Sequence, residues 1–313
     1  MKRVVRIAAS LAVALLVLAV VAGWLIFPPE SIDAGADFPR VAGPYLGQTP
    51  PGASAERFAP GIVGRELHTA VVFSPDGQEA YWRAMGEEVN EIVVSRLEGD
   101  RWSPPQVAPF ASRFFDSDDP CFSPDGERLF FTSWRPLAWH RVFEQKERIW
   151  YVERTARGWS RPKPVGPAVN EMELHWQVSV SAGGTLCFAS EGDIYCAPFE
   201  DEQYQLPERL DGTINTTDKE GHPFLAPDES YLIFSSSGGA GGMGDYDLYV
   251  SVHNPDDSWG EAKNLGAGVN SRYQELYPVV SPDGSYLFFL SNRAGAHDVY
   301  WVDFEVVGRL ISE

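Results

Sequence analysis

The tetrapeptide Ser-Pro-Asp-Gly occurs at Ser74, Ser123 and Ser281, each time between two apolar runs. Weaker copies, Ser-Ala-Gly-Gly at Ser181 and Ala-Pro-Asp-Glu at Ala226, leave successive turns 45 to 58 residues apart. A turn repeated at that period implies a modular fold. Its chemistry is that of a hairpin. Pro presets φ for the first corner, Asp suits the second, and Gly takes the left-handed position that sends the chain back. Glu229 in the Gly place makes the fourth turn less regular.

The flanks are strands, being short and rich in Val, Ile, Phe, Tyr and Trp. After each turn comes a second strand (EAYW, RLFFTS, TLCFAS, YLIFSS, YLFFLS) and then a third (EIVVS, RIWYVE, DIYCA, DLYVS, DVYWV). A fourth segment closes most units, as in RWSPPQVA, GWSRPKPVG and SWGEAKNLG. Four antiparallel strands at this period make one propeller blade, and the chain holds five. The fifth unit stops at DVYWVDF without its fourth strand. Residues 56–68, ERFAPGIVGRELH, align with KPVGPAVNEMELH at 163–175, so the N-terminal segment is expected to supply the missing strand and close the ring. Closure removes the exposed sheet edge. A six-bladed ring with one degenerate blade remains the alternative.

FSPDGERLFFTS followed by a DIY-type strand resembles the TolB-like, WD40-like propeller repeats of exported bacterial proteins. SSSGGAGGMGDYDLYVS is similar to a glycine-rich variant of that repeat. The resemblance covers roughly residues 56–303 and implies an all-β propeller that serves as a binding scaffold. Blade 2 departs from it with Arg148 where later units carry Asp193, Asp247 and Asp298, and blade 3 has lost Pro and Asp from its turn.

Ahead of the repeats the chain changes character. A basic stub at 1–6, with Lys2, Arg3 and Arg6, precedes 21 uncharged residues at 7–27. As a helix those residues would span about 30 Å, one hydrocarbon core. The basic flank predicts a signal anchor with its N-terminus cytoplasmic and the rest periplasmic or extracellular. Cleavage after Val20-Val21-Ala22, giving a secreted protein, is the competing reading. No Cys lies near the segment, which excludes a lipoprotein anchor. A Pro- and Gly-rich linker would occupy 28–55 and the propeller 56–313. Beyond the anchor, 22 basic residues face 44 acidic ones, a net charge of −22 that repels phosphate backbones and excludes nucleic acid as a partner.

In a four-stranded blade the turns between strands one and two share one face of the ring. Longer connections and the links between blades share the other. The Ser-Pro-Asp-Gly face reads as structural and the irregular face as functional. Six and four residues before each turn stand His68 and Ala70, Ser117 and Asp119, His175 and Gln177, Glu220 and His222, and Glu275 and Tyr277, expected around the mouth of the central channel. As plain structure they would bond the inner strand ends; as a site they would hold a polar ligand, with His68, His175 and His222 as the metal-binding variant. Blade 2 adds an insertion at 134–147 whose Trp134, Arg135, Trp139, Arg141 and Phe143 are interface-type residues. In blade 4, Gly239, Gly241 and Gly244 match a dinucleotide fingerprint in spacing only, since a strand follows and not a helix.

If residues 190–193 form a two-residue hairpin, Ser190 pairs with Asp193 and, three residues further out, Cys187 with Cys196. At a non-hydrogen-bonded pair the Cα atoms approach to about 4.5 Å, so an oxidising compartment would allow a cross-strand disulfide. Phosphate-loop, zincin, C-x-x-C and nucleophile-elbow motifs are absent from the sequence, and no cofactor is implied. The expected function is a membrane-tethered extracytoplasmic scaffold for a protein or envelope component. A carbohydrate hydrolase using Asp119, Glu220 and Glu275 as acid and base is the alternative.

Overall fold

The structure is a computed structural model that describes residues 38–64, 67–85, 89–141, 143–173 and 176–312. The stub, the expected anchor over 7–27 and the first part of the expected linker lie outside the described residues. Among the described residues no helix is long and apolar enough to cross a membrane.

Five antiparallel sheets form a propeller. Blade 1 runs Val72–Phe73, Glu79–Met85, Asn90–Glu98 and Gln106–Val107; blade 2 runs Ser117–Phe122, Arg128–Ser133, Arg148–Thr155 and Lys163–Pro164. Blade 3 runs Trp176–Val180, Leu186–Ser190, Asp193–Ala197 and Glu208–Arg209, and blade 4 runs Glu220–Leu225, Tyr231–Ser236, Asp247–Val252 and Lys263–Asn264. Blade 5 takes Glu275–Val280, Tyr286–Ser291 and Asp298–Asp303 from the C-terminal end and Glu56–Arg57 from the other. Glu56 pairs with Trp301 and Arg57 with Tyr300, and Arg57 reinforces the seam through an ion pair to Asp298 at 2.9 Å. The ring therefore closes as the sequence implies, with five blades.

Both faces of every blade are buried, because each sheet is flanked by two neighbours. Successive residues of one strand serve opposite interfaces. Phe288 packs toward blade 1 with Trp82, while Phe289 packs toward blade 4 with Ile233. Five apolar clusters result, one per blade interface. This explains why second strands such as YLFFLS are continuously apolar and do not alternate.

The turns hold themselves together. Ser74, Ser123 and Ser281 each donate to the turn Asp at 2.6 Å and accept a backbone N–H five residues on at 2.9 Å. Blade 3 has no turn Asp, and Ser181 donates instead to Glu229 of the blade 4 turn at 2.6 Å. The two irregular turns thus complete each other, with Glu229 in the left-handed conformation at φ 61°.

The expected linker is part of the ring over its second half. Val41 and Leu46 are buried between blades 5 and 1, and Tyr45 packs edge-on against Phe73 and Tyr286 at 5.1 Å. Trp102 Nε1 donates to the Gly43 carbonyl at 2.7 Å. A C-terminal helix, Glu305–Ser312, buries Val307 against the interface of blades 4 and 5.

Candidate functional site

In a radial blade the sheet normal points at the neighbouring blades, so ordinary strand side chains do not face the axis. Four inner strands escape this by a bulge. The register slips between Asp118 and Cys121, Trp176 and Val178, Gly221 and Phe224, and Leu276 and Val279. Within the slips Asp119, Gln177, His222 and Tyr277 hold φ of 52°, 45°, 53° and 53°. A bulge reverses the side-chain parity of the strand on either side of it. These four residues consequently turn inward, while Ser117, Glu220 and Glu275, each two residues before one of them, bond locally instead.

The inward residues plug the channel. Gln177 Nε2 donates across the ring to the Pro278 carbonyl at 2.8 Å, joining blade 3 to blade 5. The His222 ring lies parallel to Trp176 with centroids 6.0 Å apart and touches Tyr277 at 4.0 Å, while Nδ1 meets Ser235 Oγ at 2.7 Å. Burial lowers the His222 pKa to about 3, so the ring is neutral. Gln177 N–H donates to Asp119 Oδ2 at 3.1 Å. Burial first, then the charges of Asp118 and Glu147, hold the Asp119 carboxyl well above the usual carboxylate range. Asp118 lies at about 6, raised by burial and partly restrained by Arg83, its ion-pair partner at 3.0 Å. Tyr277 is raised as well, by burial and then by Asp119.

Above this plug, on the Ser-Pro-Asp-Gly side, the channel opens as a cavity of about 220 Å³. Pro75, Pro124, Pro227 and Pro282 of the turns rim it, Phe122 and Phe224 contribute to its wall, and Asp119, Gln177 and Tyr277 lie at its base. The turn face, expected to be purely structural, thus carries the open end of the axis.

The other expected carboxylates are committed elsewhere. Glu220 is buried and accepts from Thr216 N–H, Thr216 Oγ1 and Ser236 Oγ at 2.8–2.9 Å. Glu275 is fully buried and accepts from Ser271 N–H and Oγ, Ser291 Oγ and Arg293 at 2.7–3.0 Å. Neither lines the cavity with Asp119, so the expected acid–base set does not assemble there. His68 is exposed at the start of its blade, His222 is held in the stack, and His175 lies outside the described residues. Among the described residues no group of three His, Cys, Asp or Glu is placed to hold a metal ion.

The blade 2 insertion divides. Trp134 is exposed and Phe143 nearly fully so. Arg135, expected at the surface, is buried, bonds the Phe110 carbonyl at 2.9 Å and lies over the Phe131 and Trp150 rings. Trp139 and Arg141 bound a short 3-10 turn; the Trp139 side chain lies outside the described residues, and Arg141 pairs with Glu144 at 2.7 Å. Glu144 also meets the buried Arg148 at 2.7 Å, a reversed-charge counterpart of the Asp298–Arg57 pair. In the Gly-rich loop, Asp247 accepts N–H groups of Met243 and Gly244, so the glycines wrap a side chain of their own blade. Cys187 and Cys196 are directly opposed and joined by a disulfide, with Cα atoms 4.1 Å apart.

One repeated device escaped sequence reasoning. Asn170, Asn215 and Asn270 each accept from and donate to the backbone of one residue in the preceding blade's third strand, respectively Ile149, Ile194 and Leu248. Its signal was a Val or Ile followed by Asn in the three links that leave blades 2, 3 and 4.

No protein-family model and no curated protein matches the sequence. Among solved structures, TolB from Acinetobacter baumannii aligns with TM-score 0.52 and 15% identity, over 77% of this chain and 53% of its own. A TolB from Agrobacterium tumefaciens aligns with TM-score 0.50 and 21% identity, over 77% of this chain and 78% of its own. The chain folds as a TolB-like propeller. This TolB-like ring spans about half the length of the Acinetobacter protein, and at such identities the likeness is one of fold.

Proposed function

We propose that the protein is a membrane-tethered, extracytoplasmic recognition scaffold. It would present the face opposite the Ser-Pro-Asp-Gly turns to a protein or other envelope component. The distribution of exposed large apolar side chains carries this reading. Among the described residues there are seven, and six of them, Met85, Phe114, Trp134, Phe143, Trp176 and Met243, fall on that face. They occupy four of the five blades, on a chain whose acidic surface otherwise favours solvation. Exposed apolar groups gathered on one side mark an interaction surface. The tether rests on the basic stub and the apolar run at 7–27, and a cross-strand disulfide suits an oxidising compartment.

Replacing Trp134 and Phe143 together with Ala should lower partner capture from solubilised envelopes by about tenfold or more, at an unchanged melting temperature. Undiminished capture refutes the assignment of the face. Retention of the full chain in carbonate-washed membranes, lost when residues 7–27 are deleted, tests the tether separately.

A further inference from the structure

The chain enters the ring on the face of the Ser-Pro-Asp-Gly turns. Phe38 packs onto the cluster between blades 5 and 1. The Val41 carbonyl accepts the Trp102 N–H at 2.9 Å, Gly43 N–H donates to the Asp100 carbonyl at 3.2 Å, and Ala42 is bridged to Arg101. Residues 98–101 turn the third strand of blade 1 back at that face. Tyr45 lies against Phe73 and Tyr286, which flank the turns at Ser74 and Ser281. Asp303, at the end of the last strand, donates its N–H to the Gly52 carbonyl at 3.1 Å. Only beyond residue 52 does the chain cross the ring as the closing strand, toward Arg57 and Asp298 on the other face.

This entry point limits how the ring can sit relative to the apolar run at 7–27. Between Phe27 and Phe38 stand ten residues, PPESIDAGAD. As a flexible segment they span about 16–19 Å, and fully drawn out about 36 Å. Six-residue inner strands such as Glu275–Val280 rise about 20 Å from one face toward the other, and the nine residues Asn90–Glu98 about 30 Å. Bringing the face opposite the turns to the bilayer therefore takes most of the contour of the linker, together with its conformational freedom.

That opposite face reads equally, by composition, as a lipid-docking surface. It exposes Trp134, Phe143 and Met85 near Arg141, and aromatic and basic side chains of this kind also mark interfacial anchoring. The short tether separates the two readings, because it holds those side chains at the far side of the ring from the membrane.

On the reading that the protein is membrane-tethered, we infer that the ring stands on its Ser-Pro-Asp-Gly face. The axial cavity opens toward the bilayer and the exposed apolar face is turned away from it. The partner of that face is then a protein arriving from the far side of the envelope space, not lipid and not a protein confined to the plane of the same membrane.

Energy transfer in lipid vesicles tests the orientation. The full chain is reconstituted with a donor dye at Glu127→Cys or at Phe143→Cys and an acceptor dye on the lipid headgroups. Both positions are exposed and belong to blade 2, on opposite faces. The chain without an added cysteine gives the background from Cys121. Transfer from position 127 should exceed that from position 143 by about twofold or more, since the two differ in height by roughly a strand length. Inserting about twenty Gly and Ser residues after Gly35 lengthens the flexible span to about 27–33 Å and should erase the difference. Transfer equal at the two positions, or stronger from 143, would overturn the orientation. A difference unmoved by the insertion would overturn the tether as its cause. Carbonate washing of the same vesicles distinguishes these outcomes from failure of the anchor: a full chain released by carbonate defeats the tethered reading and this inference with it.

Discussion

His222 illustrates how much a single residue gives up to sit on the axis. It holds a left-handed φ, its ring is sandwiched between Trp176 and Tyr277, and burial keeps it neutral down to about pH 3. The unfolded chain binds this proton near pH 6.5 while the folded chain refuses it. The stability contributed by the neutral ring is therefore complete above pH 6.5 and falls by about 1.4 kcal/mol per pH unit toward pH 3. Asp118 and Asp119 act in the opposite sense. Their raised values favour the folded state in acid and lose that contribution as pH rises through the folded value, about 6 for Asp118. The wild-type profile mixes these trends, but a difference isolates the histidine. Denaturation at pH 7 and pH 5 should show the wild type losing about 2 kcal/mol more than His222→Gln across that interval. Equal losses would mean that the ring is reached by water and protonated in place.

Among the elements, blade 3 is the weakest by sequence. Its turn lacks both the Pro and the Asp that the other blades keep. Two features compensate. Glu229 reaches over from blade 4 to serve Ser181, and the Cys187–Cys196 disulfide ties strands two and three. Closing a loop of nine residues restricts the unfolded chain by about 2–3 kcal/mol. The intact protein should be lighter than its reduced form by the mass of two hydrogens, and Cys187→Ser with Cys196→Ser should lower stability by about 2 kcal/mol. Identical masses before and after reduction would remove the bond. The bulges are the other decisive element. They put Pro120, Pro223 and Pro278 on inner strands, which proline tolerates because those strands are edges facing the channel.

At the scale of the whole molecule, closure is the structural commitment on which the rest depends. Beyond the backbone pairing at Glu56 and Arg57, residues 41–58 bury Val41, Leu46 and Phe58 between the last blade and the first. Those three side chains alone represent about 5–9 kcal/mol of burial, comparable to the whole stability of a typical domain. A chain starting at residue 38 should fold cooperatively in denaturant, whereas one starting at residue 59 should lose its sharp transition and aggregate through the exposed edge of Asp298–Asp303. A cooperative, monomeric 59–313 protein would show that the seam is dispensable.

Fold was legible in the sequence because it rests on local chemistry repeated five times. A Pro-Asp-Gly turn fixes a hairpin wherever it occurs, apolar runs fix strands, and the complement between ERFAP and the unfinished fifth unit fixes the seam. The Cys187–Cys196 register followed from counting outward from a two-residue turn. The site was not legible in the same way. Counting back from the turns found Asp119, Gln177, His222 and Tyr277, but the same count placed Glu220 and Glu275 beside them. A bulge is a tertiary decision: whether a strand takes one extra residue depends on how closely five edges meet at the axis. That closeness, set by the ring and not by any one blade, sent four side chains inward, committed Glu220 and Glu275 to local hydrogen bonds and opened the cavity on the face of the turns.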